Sequence, residues 1–564
     1  MHKSCSTFLM AFFTVSQSIL LSNSILATES IYDDIPSVSY AFKPEMDNGN
    51  CHLSVALTFK GTPSGKTPVA FSDVWAGIDY KPQIRNIQVN NATMVSCNNG
   101  KLDQLITHEP NTEVTVRYEI HQQEGNPSDV HSAIIRPDLI HIPGYGLGAY
   151  PMYGQTIECL NDSVDFTLKW VVPETWHVMT SYGVGSKQKI RGSFLKLGHS
   201  LFIATKTNPY SLEICEKPVC FSFYGSFNLT SEELFEEARK IISLQRSFFN
   251  DNDFPCYLIS LVEGNDPNSQ GGVHLDNCIA CYIPKDISKK DLYLLLSHEN
   301  FHNWTGGKIK PFDISQGVAW WKEGFTEYYP RVLGLRSGDL SFQDFIDEVN
   351  QILRNYYLSP VLNEPNEKIK TDYWNNHDTK LLPYQRGFVF AIYLNNLIKK
   401  ITSNQQSLDN VMWDLFDNGN FSMEIFKEIV ARYVPKGIDF EIEHYIENGE
   451  TIELSQIEEL PLKTMNMHRY YLGFSEESFT EKKIIGLNHT SKAYEAGLRE
   501  GDEIIECNVT RDPYQQASVI RKDGSTIVFY PESFEEIPVP QLDIDDSLIE
   551  QKIIDWFGGS NRKS

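Results

Sequence analysis

Apolar positions along the first part of the chain alternate or run in short blocks between Gly, Pro and Asn breakers. SVALTFKG, VTVRYEI, VDFTLKWVVP, SLFIATK and CFSFYGSF all follow this pattern from about residue 30 to residue 225. A period of two residues is that of strands with one buried face, so one or two antiparallel β units are expected over 28–226. The period changes at TSEELFEEARKIISLQRSFF, where apolar residues recur at helical spacing. Thr230 followed by Glu233 has the spacing of a capping box and predicts where this helix starts. A strand (CYLISLVEG) follows, then GGVHLDNCIACYIP, then a helix with the apolar run Leu292, Leu294, Leu295 and Leu296.

From Phe312 to about 450 the pattern is mostly helical, as in SFQDFIDEVNQILRNYY and GFVFAIYLNNLIKKI. An acidic linker, IENGETIELSQIEELPL, separates this region from a compact unit over 465–540 that contains YYLGFSEESF, SKAYEAGLREGDEII and STIVFYP. Residues 541–564 read as an acidic tail. A chain of 564 residues exceeds what one core supports, so several domains are expected. The fold class is multidomain α+β.

The net charge of -25 argues against a nucleic-acid partner, which needs a basic surface. The N-terminus combines Lys3, apolar stretches at Phe8–Val15 and Ile19–Leu21, and Ala27 before a cleavage point. Residues 1–27 therefore read as a signal peptide of an exported protein, periplasmic or secreted, with an uncleaved anchor as the alternative. No later segment is apolar enough to span a bilayer, so stable membrane insertion is not expected once the signal is removed. Nine cysteines remain after Cys5, an odd number. Cys278 and Cys281 stand in CIACYIP without a second CxxC, which favours buried strand thiols over a zinc ribbon.

The chemistry concentrates at His298-Glu299-Asn300-Phe301-His302. Residues four apart on a helix share a face about 6 Å apart, so His298 and His302 can hold one cation. Glu299 points about a quarter-turn round, beside the open position of such an ion, where a base for water must stand. By residue frequencies the motif arises by chance in roughly a few per cent of chains this long, and two histidines do not close a catalytic site. VAWWKEGFTEYYP supplies a third donor. Glu323 sits among apolar residues, where an unpartnered carboxylate is costly. Glu327, four residues on, can accept a hydrogen bond from a ligand imidazole; a solvated helix carboxylate is the plainer reading.

HENFH, KIKP, WWKEGFTEYY and LLPYQRGF together resemble the gluzincin metallopeptidases, and among these the glycyl-aminopeptidase family. That resemblance implies an N-terminal β domain, a thermolysin-like, mostly helical catalytic domain over 227–455 and a C-terminal PDZ domain. It implies one Zn2+ per chain on His298, His302 and Glu323, with Glu299 activating water and Tyr384 stabilising the oxyanion. Tyr384-Gln385-Arg386-Gly387 matches the family's tyrosine motif, and Arg386 is expected to help. A phenol donating to the developing charge is sound chemistry.

One departure stands out. Where the family carries a glutamate for the substrate's free amine, Gly271-Gly272-Val273-His274-Leu275-Asp276 places His274. An imidazole attracts an ammonium poorly. Asp276, two residues on and on the same strand face, is the substitute this segment offers. The stretch between His302 and Glu323 is also shorter than the family suggests. In the last unit, Leu472, Gly473 and Phe474 resemble a PDZ loop that holds a peptide's terminal carboxylate; a PDZ fold that only packs is the alternative. The sequence thus predicts an exported zinc peptidase acting on peptides or proteins, an aminopeptidase favouring small N-terminal residues. An endopeptidase on the same scaffold, or a non-catalytic PDZ peptide-binding protein, is the alternative.

Overall fold

The computed structural model describes residues 35–559, apart from 48, 76–77, 98–100, 124–128, 155–156, 265–269, 313–315, 456, 510–511 and 544–546. The signal-peptide expectation for 1–27 lies outside the described residues. The chain divides after Asn303 into two compact units.

The first unit opens with a six-stranded sheet. Its strands are β1 (Ser37–Asp47), β2 (Asn50–Lys60), β3 (Ile84–Asn90), β4 (Glu113–His121), β5 (Val164–Trp170) and β6 (Lys187–Gly192). They lie in the order β6-β5-β1-β2-β4-β3, antiparallel except for β1 against β5. The two-residue period sends Val38, Tyr40 and Phe42 of β1, and Leu53, Val55 and Leu57 of β2, into one core. Lys43, Glu45, His52 and Ser54 fall on the opposite face.

A second sheet lies against the helix that carries the two motif histidines. It contains β7 (Tyr210–Ile214), β8 (Lys217–Tyr224), β9 (Tyr257–Glu263), β10 (Gly271–Leu275) and β11 (Cys278–Ile283), ordered β7-β8-β9-β11-β10. This sheet recruits β7 and β8 from the stretch read as the N-terminal β domain, so strands on both sides of residue 226 share it. The run CIACYI is buried throughout, with Cys278 and Cys281 fully enclosed as strand thiols. Helix α1 (Ser231–Phe249) starts at the predicted capping box of Thr230 and Glu233. Helix α2 (Lys289–Phe301) is capped by Ser288 and carries the metal motif.

The second unit is largely helical up to about residue 450, including α3 (Gly324–Ser337), α4 (Phe342–Tyr357) and α5 (His377–Ile401). A long ribbon of β12 (Leu462–Tyr470) and β16 (Glu532–Leu542) follows, enclosing a small three-stranded sheet of β13 (Ile504–Asn508), β14 (Ala517–Arg521) and β15 (Thr526–Phe529). The ribbon returns to α4, where the Leu542 amide donates to Asn350 Oδ1 at 2.7 Å. The stretch expected as an acidic tail differs from that reading. It folds into α6 (Ser547–Phe557), whose Ile553, Trp556 and Phe557 are buried. Among the described residues no helix is long and apolar enough to cross a membrane.

Candidate metal centre

Helix α2 is fixed from beneath by an amide buried on α1. Gln245 Nε2 donates to the Ser297 carbonyl at 2.8 Å, and Gln245 Oε1 accepts from Asn300 Nδ2 at 2.8 Å. A buried amide leaves a low-energy position only when both ends are satisfied, so this pair sets the helix's depth and rotation. Leu292, Leu295 and Leu296 bury the rest of its surface. His298, Glu299 and His302 are each no more than 1% exposed.

The donor atoms of His298, His302 and Glu323 all lie within 4.8 Å of one another. The Nε2 atoms of His298 and His302 are 3.1 Å apart. Two nitrogens at zinc-ligand distance on a tetrahedral ion would stand about 3.3 Å apart, so this spacing fits a shared metal. Two imidazoles and a carboxylate, all buried, are also the donor set of a catalytic zinc with an open fourth position. Glu323 sits where the short helix Ala319–Lys322 runs on into α3, and its amide donates to the Ala319 carbonyl at 2.8 Å. Trp321 beside it stacks on Phe421 with ring centroids 3.9 Å apart.

Strand β10 runs against Glu299. A Cβ built on Gly272 would stand 2.6 Å from Glu299 Oε1 and 2.8 Å from Cys281 Sγ, so only glycine permits this approach. His274 shares that strand face, and its ring centroid lies 6.4 Å from that of His302. Val273 and Leu275 point the other way into the core. Gly271 is pressed similarly, a Cβ there meeting Tyr282 Oη at 2.7 Å. The sequence gives no sign that Cys281 lies near Glu299; burial, and then the Glu299 charge, push its thiol pKa well up.

Tyr384 is buried on α5, its hydroxyl 3.5 Å from that of Tyr373. Burial raises its phenol pKa well above the usual range, and the Glu323 charge adds to this, so it stays a proton donor. Tyr373 escaped the sequence reading because no spacing rule ties it to Tyr384. Lys380 also feels Glu323: burial lowers its pKa and the carboxylate partly restores it.

Three further candidate residues have partners of their own. Arg386 is fully buried and donates through Nη2 to the carbonyls of Leu362 and Glu364, at 2.9 and 2.7 Å. Through that nitrogen it ties α5 to the 362–364 loop. Asp276 pairs with Lys196 at 3.4 Å, and its amide donates to the His199 carbonyl at 2.6 Å. Glu327 Oε2 accepts from Arg331 Nη1 at 2.6 Å, and Arg331 Nη2 reaches Glu348 at 3.1 Å. In the last unit Leu472 and Phe474 are buried in its small core. Gly473 has φ +84°, with Ser491 Cβ 2.5 Å from where its own Cβ would be.

A family model of the M61 glycyl aminopeptidases matches residues 291–381. No curated protein matches the chain. Among solved structures, an aminopeptidase N family protein from Idiomarina loihiensis is similar at 14% identity and a TM-score of 0.70, covering 92% of this chain and 100% of its own. An M1 zinc metallopeptidase from Deinococcus radiodurans, a mutant bound to a Tyr-Ser-Ala substrate, gives 14% identity, 74% and 95% coverage and a TM-score of 0.46. The segment that holds His298, Glu299, His302 and Glu323 is thus similar to M61 glycyl aminopeptidases, within a chain folded like an aminopeptidase N family protein.

Proposed function

We propose that this protein is a zinc-dependent peptidase, an aminopeptidase favouring small N-terminal residues. The observation that carries the proposal is the buried convergence of His298, His302 and Glu323 with Glu299 next in the chain. The M61 match over the same residues supports it. Zinc held there would polarise the scissile carbonyl and make water acidic enough to lose a proton near neutral pH. Glu299 takes that proton on its carboxylate and delivers it to the departing amine. Tyr384 donates its hydroxyl hydrogen to the charge developing on the carbonyl oxygen, and its raised pKa keeps that hydrogen in place. Strand β10, at the edge of its sheet, offers backbone groups along which an extended peptide can align.

His274 favours a second reading, an endopeptidase on the same scaffold. An imidazole, not a carboxylate, stands on the face of β10 next to His302, and Asp276 pairs with Lys196, which supports this reading. Glycyl and alanyl fluorogenic amides, free and N-acetylated, separate the two readings, with Glu299→Gln as the blank. Cleavage of free-amine substrates alone supports the aminopeptidase, and cleavage of acetylated ones replaces it with the endopeptidase. The blank should lose about a hundredfold or more in kcat while keeping metal. Wild-type turnover in the blank would remove Glu299 from its role.

A further inference from the structure

The outward face of the six-stranded sheet carries metal-binding side chains that the peptidase reading does not use. Register places them in rows. Glu45 of β1 lies opposite His52 of β2, and His52 lies opposite His121 of β4. In the next row Ser54 lies between Lys43 and Glu119. The two imidazole rings stack with centroids 5.2 Å apart and planes 15° from parallel. His121 Nε2 lies 2.8 Å from Glu119 Oε2, and His52 Nε2 lies 3.7 Å from Glu45 Oε2. Ser54 Oγ donates to Glu45 at 2.6 Å and Asn86 Nδ2 donates to Glu119 at 2.8 Å, which fixes both carboxylates. Lys43 pairs with the other oxygen of Glu45.

We propose that His52, His121, Glu45 and Glu119 form a second site for a divalent transition-metal ion, independent of the catalytic centre. Directly opposed residues on antiparallel strands hold their Cβ atoms about 5 Å apart, close enough for two imidazoles to reach one ion at about 2 Å each. Mixed nitrogen and carboxylate donors suit Zn2+, Cu2+ or Ni2+ over Mg2+ or Ca2+. A cleft of about 440 Å3 reaches the two carboxylates from the side away from the histidines, with Lys43 and Arg117 also in its lining. Among the described residues, only the catalytic triad has its donors already gathered. An ion here has to replace the direct His121–Glu119 contact, so the second site binds more weakly and fills later.

Titration of the chelator-treated full chain with Zn2+ should give two binding events per chain. His121→Gln should keep the tighter event and weaken the other at least tenfold, and Glu323→Ala should do the reverse. Peptidase activity of His121→Gln at saturating Zn2+ should match the parent. Glu119→Gln, at a half-buried carboxylate, gives a second variant that leaves the buried His52 untouched. No second event, or a weaker event that survives unchanged in the His52→Gln/His121→Gln double variant, overturns the proposal. A single event abolished by His121→Gln would support this site and count against the catalytic one.

Discussion

At the scale of single residues, geometry adds partners that adjacency in sequence does not show. Arg386 stands two positions from Tyr384, and residues two apart on a helix do not share a face. Its guanidinium accordingly turns to the carbonyls of Leu362 and Glu364. The same-face rule for a strand does join His274 to Gly272, but β10 ends at Leu275, and Asp276 is drawn to His199 and Lys196. Tyr384 is the residue whose role is open to the simplest test. Tyr384→Phe removes one hydroxyl from a buried position and little else. It should lower kcat by about a hundredfold, the usual loss for one oxyanion donor, with KM nearly unchanged. Steady-state kinetics on a glycyl amide decide this; an unaffected kcat would make Tyr384 a packing residue.

At the scale of elements, the motif glycines acquire a reason that no pattern gives. A Cβ on Gly387 would lie 1.7 Å from the Trp320 carbonyl oxygen, and one on Gly324 would lie 2.3 Å from the Gly387 Cα. Helix α5 therefore touches the start of α3 backbone to backbone, directly beside Glu323. This contact sets the spacing between the helix bearing Tyr384 and the segment bearing the carboxylate donor. Gly387→Ala should force these helices apart at a cost of about 3 kcal/mol, as overpacking does. A lower melting temperature and weaker zinc binding are expected together. An unchanged melt would mean that the contact relaxes at little cost.

At the scale of the whole molecule, the last helix is part of the second unit's core. Arg336 Nε donates to the Phe557 carbonyl, Lys399 Nζ donates to that of Trp556, and the Phe557 ring packs on Phe345 and Tyr328. Ile549, Ile553, Trp556 and Phe557 recur at helical spacing, but the acidic composition around them hid it. Removing the chain from Ser547 onward would delete the buried Ile553, Trp556 and Phe557 and uncover Tyr328 and Phe345, a loss on the order of 5 kcal/mol. Urea unfolding should shift to much lower concentration or lose cooperativity. A truncated chain as stable as the full one would show the helix to be an appendage.

Local information determined much of this protein from sequence alone. Period and capping residues located the β-rich first part, the capped helix at Thr230 and the helix bearing His298, because these depend on residues within a turn or a strand of each other. The two histidines and Glu299 were legible for the same reason, since one helix fixes their directions. Glu323 was legible as a candidate, and only the fold could bring its carboxylate within 4.8 Å of the imidazole donors. What lay beyond sequence was set by contacts between distant segments. Those contacts include the Gln245 amide under α2, the Gly272 approach to Glu299, the Gly324–Gly387 crossing and the His52–His121 pair. Register, crossing and closeness belong to pairs of elements, and neither member of a pair specifies them alone.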